Sequence, residues 1–238
     1  MNSRLTTKDV RRVARRTIEI LKRGNYKCAV FGSLACSVWG MDRRPGVSDC
    51  HLSKHVKSAN LIQDVDIVVF SRHDCEVIKA YIAAHNDRFS LEDAETPGAE
   101  YKVLYFNLHW GWGLKCKVDI LTPGQKPLHI PTIPPRHIVS PNGYGIPVVP
   151  LIALLILKVQ GWRDHCKSRK QRFRKKIPQD IEDIRQLLDM ADDAGDQLSD
   201  LDDWLPQWFL KRAESLVKRY TNNFDETTHS FRILGFDV

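Results

Sequence analysis

Two carboxylates stand two residues apart at the head of the segment Gln63-Asp64-Val65-Asp66-Ile67-Val68-Val69-Phe70. The β-branched, apolar run behind them predicts a strand with an acidic tip. Alternate side chains of a strand share a face, so Asp64 and Asp66 point the same way, their Cα atoms roughly 7 Å apart. Carboxylates held against an apolar sheet are costly without a counter-charge. Hard oxygen ligands in this arrangement suit Mg²⁺, or Mn²⁺, better than a soft metal.

Upstream, Cys28-Ala29-Val30-Phe31 reads as a second strand that breaks at Gly32-Ser33 into a short helical segment, Leu34 to Trp39. Downstream, Cys116-Lys117-Val118-Asp119-Ile120-Leu121 reads as a third strand bearing one carboxylate, Asp119. A strand ending in Gly-Ser at a helix start, then Asp-x-Asp, then a lone strand Asp, resembles the polymerase-beta-like nucleotidyltransferase superfamily. The resemblance is strongest to small fungal nucleotidyltransferase-like proteins and abortive-infection nucleotidyltransferase toxins. For the fungal proteins it runs from Lys27 to Leu188, through Phe31-Gly32-Ser33-Leu34-Ala35-Cys36, Asp64-Val65-Asp66-Ile67, Lys117-Val118-Asp119-Ile120-Leu121 and Leu157-Lys158-Val159-Gln160-Gly161-Trp162.

The resemblance implies an α/β (α+β) nucleotidyltransferase fold: a mixed, mostly antiparallel sheet flanked by helices, with a C-terminal helical extension. It implies a core over 1–149 carrying a loop insertion at 41–60, and a helical subdomain over 150–238. The implied activity is metal-dependent transfer of a nucleoside monophosphate from an NTP to RNA, protein or a small molecule. Asp64, Asp66 and Asp119 are the implied metal ligands and catalytic groups. Gly32, Ser33, Lys158 and Arg163 are the implied nucleotide contacts, with Asp180 and Asp183 behind them. A nucleotide- or RNA-binding module without activity is the competing expectation. The long interval from Leu34 to Gln63 departs from the family, and it displaces an Arg-x-Pro-type element that often precedes Asp-x-Asp.

Elsewhere the reading rests on periodicity and composition. Thr7 is expected to cap a helix with Val10, Val13, Ala14, Ile18 and Leu21 inward and a basic face outward, ending at Gly24. Ser71 and Asp74 announce a helix through His85, with Val77, Ile78, Tyr81 and Ile82 toward the sheet. Strands Tyr101 to Leu108 and Leu114 to Leu121 follow, joined by a Gly-rich turn whose Trp110 and Trp112 are expected to pack on their own hairpin. Eight of the twelve prolines fall between Thr122 and Pro150, predicting an extended strap. Pro150 then opens a helix, Leu151 to Gln160, expected to stop at Gly161.

The stretch Arg163 to Lys176 holds eight basic residues and one acidic, and is expected to be a disordered or induced-fit loop that touches RNA. A helix from Pro178 to Met190 follows, then an Asp-rich linker, a closing helix from Pro206 to Tyr220, and a tail to Val238 without a signal. Cys50, His51 and His55, with His165 and Cys166, do not have the spacing of a zinc finger. The six cysteines have no disulfide framework and are expected to be free thiols.

An apolar content of 42% with 27% charged residues is that of a packed chain, which excludes global disorder. The longest apolar run, Ile146 to Leu157, is interrupted by prolines and too short to cross a bilayer. The N-terminus has no apolar leader segment, so a cytoplasmic or nuclear location is expected. A net charge of +7 and an isoelectric point near 9.1 favour polyanionic partners.

Overall fold

A computed structural model describes residues 5–41, 64–95, 98–108, 113–125 and 128–238. The described residues build helix α1 (Thr7–Arg23), strand β1 (Cys28–Phe31), α2 (Gly32–Trp39), β2 (Asp64–Val69), α3 (Cys75–Ala84), β3 (Phe89–Asp93), β4 (Lys102–Asn107) and β5 (Lys115–Leu121). Helices α4 (Leu151–Lys167), α5 (Gln171–Arg174), α6 (Ile177–Ala194), α7 (Gln207–Thr221) and α8 (Thr228–Ile233) complete them. The insertion at 41–60, with Cys50, His51 and His55, lies outside the described residues except for Met41, and so do Trp110 and Trp112.

The strands form one sheet in the order β1-β2-β5-β4-β3. Among the described strands β2 and β5 run parallel, and the other three pairings are antiparallel. This is the mixed, mostly antiparallel sheet that the motifs imply. Alternation divides its faces: Val65, Ile67, Cys116, Val118 and Ile120 are buried on one side, while Asp64, Asp66, Lys117 and Asp119 take the other. Helices α1 and α3 cover the apolar side, with Val13, Leu21, Ile78 and Ile82 in the core.

Local chemistry sets the ends of these helices. Thr6, one residue before the expected cap, accepts the Asp9 amide at 3.2 Å while the Asp9 carboxylate accepts the Thr6 amide at 3.1 Å, a reciprocal capping box. Asp74 caps α3 by accepting the Glu76 amide at 2.7 Å. Val77, expected to face the sheet, is 55% exposed instead, because the buried stripe of α3 runs through Ile78 and Ile82.

The C-terminal half departs furthest from expectation. Helix α4 does not stop at Gly161: it continues to Lys167, held by buried Trp162, whose ring meets Tyr220 at 4.9 Å and Phe224 at 5.8 Å. The stretch 163–176 is therefore not a loop throughout, since its first residues belong to α4 and Gln171–Arg174 form α5. Helix α6 runs past Met190 to Ala194 and ends on Gly195, whose φ of 67° is the left-handed conformation that closes a helix. The tail is structured too, with Phe231, Leu234 and Phe236 buried. One hydrophobic core takes in Val30 and Leu34 of the N-terminal half with Leu154, Ile184 and Val217 of the C-terminal half. The proline-rich strap joins it by short bridges, Val148 pairing with both Val30 and Val139.

Candidate active site

The site lies where β2 and β5 run side by side from the same end. In their register Asp66 is opposite Asp119 and Asp64 is opposite Lys117. One carboxylate oxygen from each of Asp64, Asp66 and Asp119 lies within 4.8 Å of the other two, the spacing of a cation site. The three carboxylates anticipated from sequence thus meet on one face of the sheet.

Gly32 closes the floor. Its φ of +65° is left-handed, and a Cβ built there would stand 2.4 Å from Asp66 Oδ2. No side chain fits, so backbone and carboxylate touch. Gly32→Ala is expected to combine left-handed strain of roughly 1–3 kcal/mol with displacement of the Asp66 carboxylate. A urea titration and a cation-binding titration on the same variant check both. Retained affinity with wild-type stability would show that Gly32 is ordinary.

Electrostatics mark Asp66 as the strained member. The residue as a whole is half-buried. Its carboxyl is nevertheless pushed up to about 8, first by burial and then by Asp64 and Asp119, with Lys158 and Lys117 opposing. Three carboxylates this close repel one another, and a bound cation relieves that repulsion. The donor set therefore fits a hard divalent metal.

Lys158, on the buried face of α4, opposes the rise at Asp66, and its Nζ donates to Asp183 Oδ2 at 2.6 Å. Gln179 donates to the other oxygen of Asp183 at 2.8 Å, so α6 holds the Asp183–Lys158 pair from behind. Asp180 takes a different partner, His165 Nδ1, at 2.5 Å. Arg163 folds onto its neighbour, with Nη2 2.5 Å from Asp164 Oδ1.

Lys117 was not singled out from sequence. Its Nζ donates to Asp119 Oδ2 at 2.6 Å, and both side chains are about two-fifths to one-third exposed, at 41% and 34%. Burial alone would lower the Lys117 pKa, but Asp119, Asp64 and Asp66 outweigh it and raise it. The signal was available: two residues before Asp119 on the same strand means the same face.

Among solved structures, the fold is similar to that of an antigenic nucleotidyltransferase-like protein from the fungus Paracoccidioides brasiliensis. The TM-score is 0.63 at 12% sequence identity, and the match covers 97% of this chain and 95% of that one. No protein-family model matches the chain, and no curated protein matches it. No helix among the described residues is long and apolar enough to cross a membrane.

Proposed function

We propose that this nucleotidyltransferase-like fold works as a metal-dependent nucleotidyltransferase, moving a nucleoside monophosphate from an NTP to an acceptor and releasing pyrophosphate. The observation that carries the reading is the convergence of Asp64, Asp66 and Asp119 to within 4.8 Å, against a glycine that leaves room for no side chain. A bound Mg²⁺ or Mn²⁺ would supply neutralisation of the charge developing on the entering and leaving oxygens.

The residues of the chain would do the rest. Asp64, Asp66 and Asp119 would hold the cation through their carboxylate oxygens. Asp119 would also accept the proton that the acceptor hydroxyl loses as its oxygen bonds to the α-phosphorus and the bond to pyrophosphate breaks. Gly32 would admit the triphosphate close to the backbone, with Ser33 and the first amides of α2 donating to phosphate oxygens. Lys158, held by Asp183, would face the phosphates from α4. Arg163 would join it by exchanging Asp164 for phosphate, and Asp180 would steady this end of α4 through His165. The basic residues between Arg163 and Lys176 would meet an RNA acceptor.

Lys117 fits this scheme as a resident counter-ion that a divalent cation must displace from Asp119. Lys117→Met is therefore expected to tighten Mg²⁺ binding, roughly tenfold for the loss of one competing charge-assisted hydrogen bond of about 1.5 kcal/mol. Isothermal titration of the metal reads this directly. Weaker binding by the variant would mean that Lys117 supports the site instead.

The test of the activity is incubation of the protein with each α-labelled NTP, Mg²⁺ and a cell lysate, asking which molecule becomes labelled. Labelling that Asp64→Ala abolishes supports the reading, and its substrate identifies the acceptor. No labelling of any RNA, protein or small molecule would reject it.

A further inference from the structure

On the other side of the sheet, away from the carboxylates, α1 and the end of α3 frame a groove of about 720 Å³. Arg12, Arg15 and Arg16 of α1 line one wall, His85 and Arg88 line the other, and Phe106 lies between them. Phe106 pairs with Cys116, whose buried side chain is on the face opposite Lys117 and Asp119, so the groove and the acidic site are separate.

The groove is built for an anion. At i, i+3 and i+4 the three arginines share one side of a helix, where like charges repel. Arg12 and Arg16 meet Asp9 and Glu19 at 3.3 and 3.0 Å with side chains 49% and 47% exposed, and pairs so exposed are weak and readily exchanged. Arg15 makes no ion pair within the helix or elsewhere among the described residues. Arg88 is fixed: it donates Nε to the Asn107 carbonyl at 2.9 Å and Nη2 to the Leu108 carbonyl, and its guanidinium lies 4.7 Å from the Phe106 ring centre. His85 is fixed too, donating Nδ1 to the Tyr81 carbonyl at 2.7 Å with its ring tilted 37° against that of Tyr81, centroids 4.0 Å apart. Against the four arginines the groove sets Glu19 and Asp87.

We propose that this groove binds the phosphodiester backbone of a single nucleic-acid strand. Arg12 and Arg16 are about 6 Å apart along the helix, from a rise of about 1.5 Å per residue. A row of guanidiniums with a fixed cation across from it matches a ligand whose charge repeats along its length. A phosphopeptide presents isolated charges and leaves most of that row unused. The +7 net charge of the chain draws such a strand from a distance. Binding here needs no chemistry at Asp64, so it stands or falls separately from nucleotidyl transfer.

The experiment is fluorescence anisotropy with labelled single-stranded RNA and DNA across a range of salt. It compares the wild type, an Arg12→Ala/Arg15→Ala/Arg16→Ala variant, an Arg169→Ala/Arg172→Ala/Arg174→Ala variant and Asp64→Ala. Alanine is the best helix former and the groove positions are exposed, so circular dichroism is expected to show α1 intact. The groove variant is expected to lose at least about tenfold in affinity, and its salt slope to fall by about 2, at roughly 0.7 for each phosphate of a single strand that is no longer neutralised. Asp64→Ala is expected to bind as the wild type does. RNA and DNA binding alike identifies backbone as the ligand, and RNA alone adds the ribose hydroxyl. An unchanged slope in the groove variant, loss confined to the 169/172/174 variant, or equal competition by a multiply phosphorylated peptide would overturn the proposal.

Discussion

Asp66→Asn is expected to abolish nucleotide transfer, by at least about 10³-fold or roughly 4 kcal/mol of barrier, while making the metal-free protein more stable. Both effects have one origin. Asp66 sits at the floor of the site with Asp64 and Asp119 within 4.8 Å, and burial with those charges raises its carboxyl to about 8. The unfolded chain gives up this proton near the ordinary carboxylate value of about 3.9, whereas the folded chain keeps it until about pH 8. Between those values the native state binds the extra proton, so raising the pH lowers stability across that window. Asparagine removes the titration, and the pH dependence of urea unfolding should flatten accordingly. Metal binding reverses the trend: because the cation displaces that proton, Mg²⁺ affinity of the wild type should rise toward pH 8 and then level off. A variant that loses transfer and also unfolds would instead assign Asp66 to the core.

Lys158→Ala is expected to cost roughly 3–5 kcal/mol of stability, because it strands the Asp183 carboxylate inside the protein. The Asp183 side chain is 1% exposed and that of Lys158 10%, and they meet at 2.6 Å. Nucleotide binding by this variant would therefore be read on a damaged fold. Lys158→Met with Asp183→Leu replaces the whole pair by apolar groups of similar volume, for which the net cost is expected to be near zero. That double variant should unfold at a urea concentration close to the wild type yet bind NTP markedly more weakly by calorimetry. Wild-type nucleotide affinity in a stable double variant would make the pair purely structural.

The acidic site was legible because strand alternation is strict: Asp64 and Asp66 must share a face, and a parallel neighbour in register brings Asp119 beside Asp66. Gly32 was legible for a related reason, since a strand that turns directly into a helix calls for a residue free to take positive φ. Strand β3 was not, because Phe89–Asp93 is a short segment that closes on Glu92 and Asp93, and its pairing with β4 comes only from tertiary contact. The end of α4 was misplaced because Gly161 reads as a stop in isolation, whereas the Trp162 contacts with Tyr220 and Phe224 lie about sixty residues away. Arg163 illustrates the limit of carrying a position over from a family motif. Its helix delivers it to Asp164, and what it touches with nucleotide bound depends on breaking that pair.

The proposed activity rests on the convergence of Asp64, Asp66 and Asp119. The most direct test follows the phosphorus atom itself. The protein is given ATP, or another NTP, labelled at the α- or the γ-phosphorus, with Mg²⁺ and the acceptor that the lysate screen identifies. The account predicts that label enters the acceptor from the α-position alone, with one pyrophosphate released per transfer, and that EDTA or Asp66→Asn stops it. Transfer of the γ-label, or α-label incorporation that survives both treatments, would contradict it.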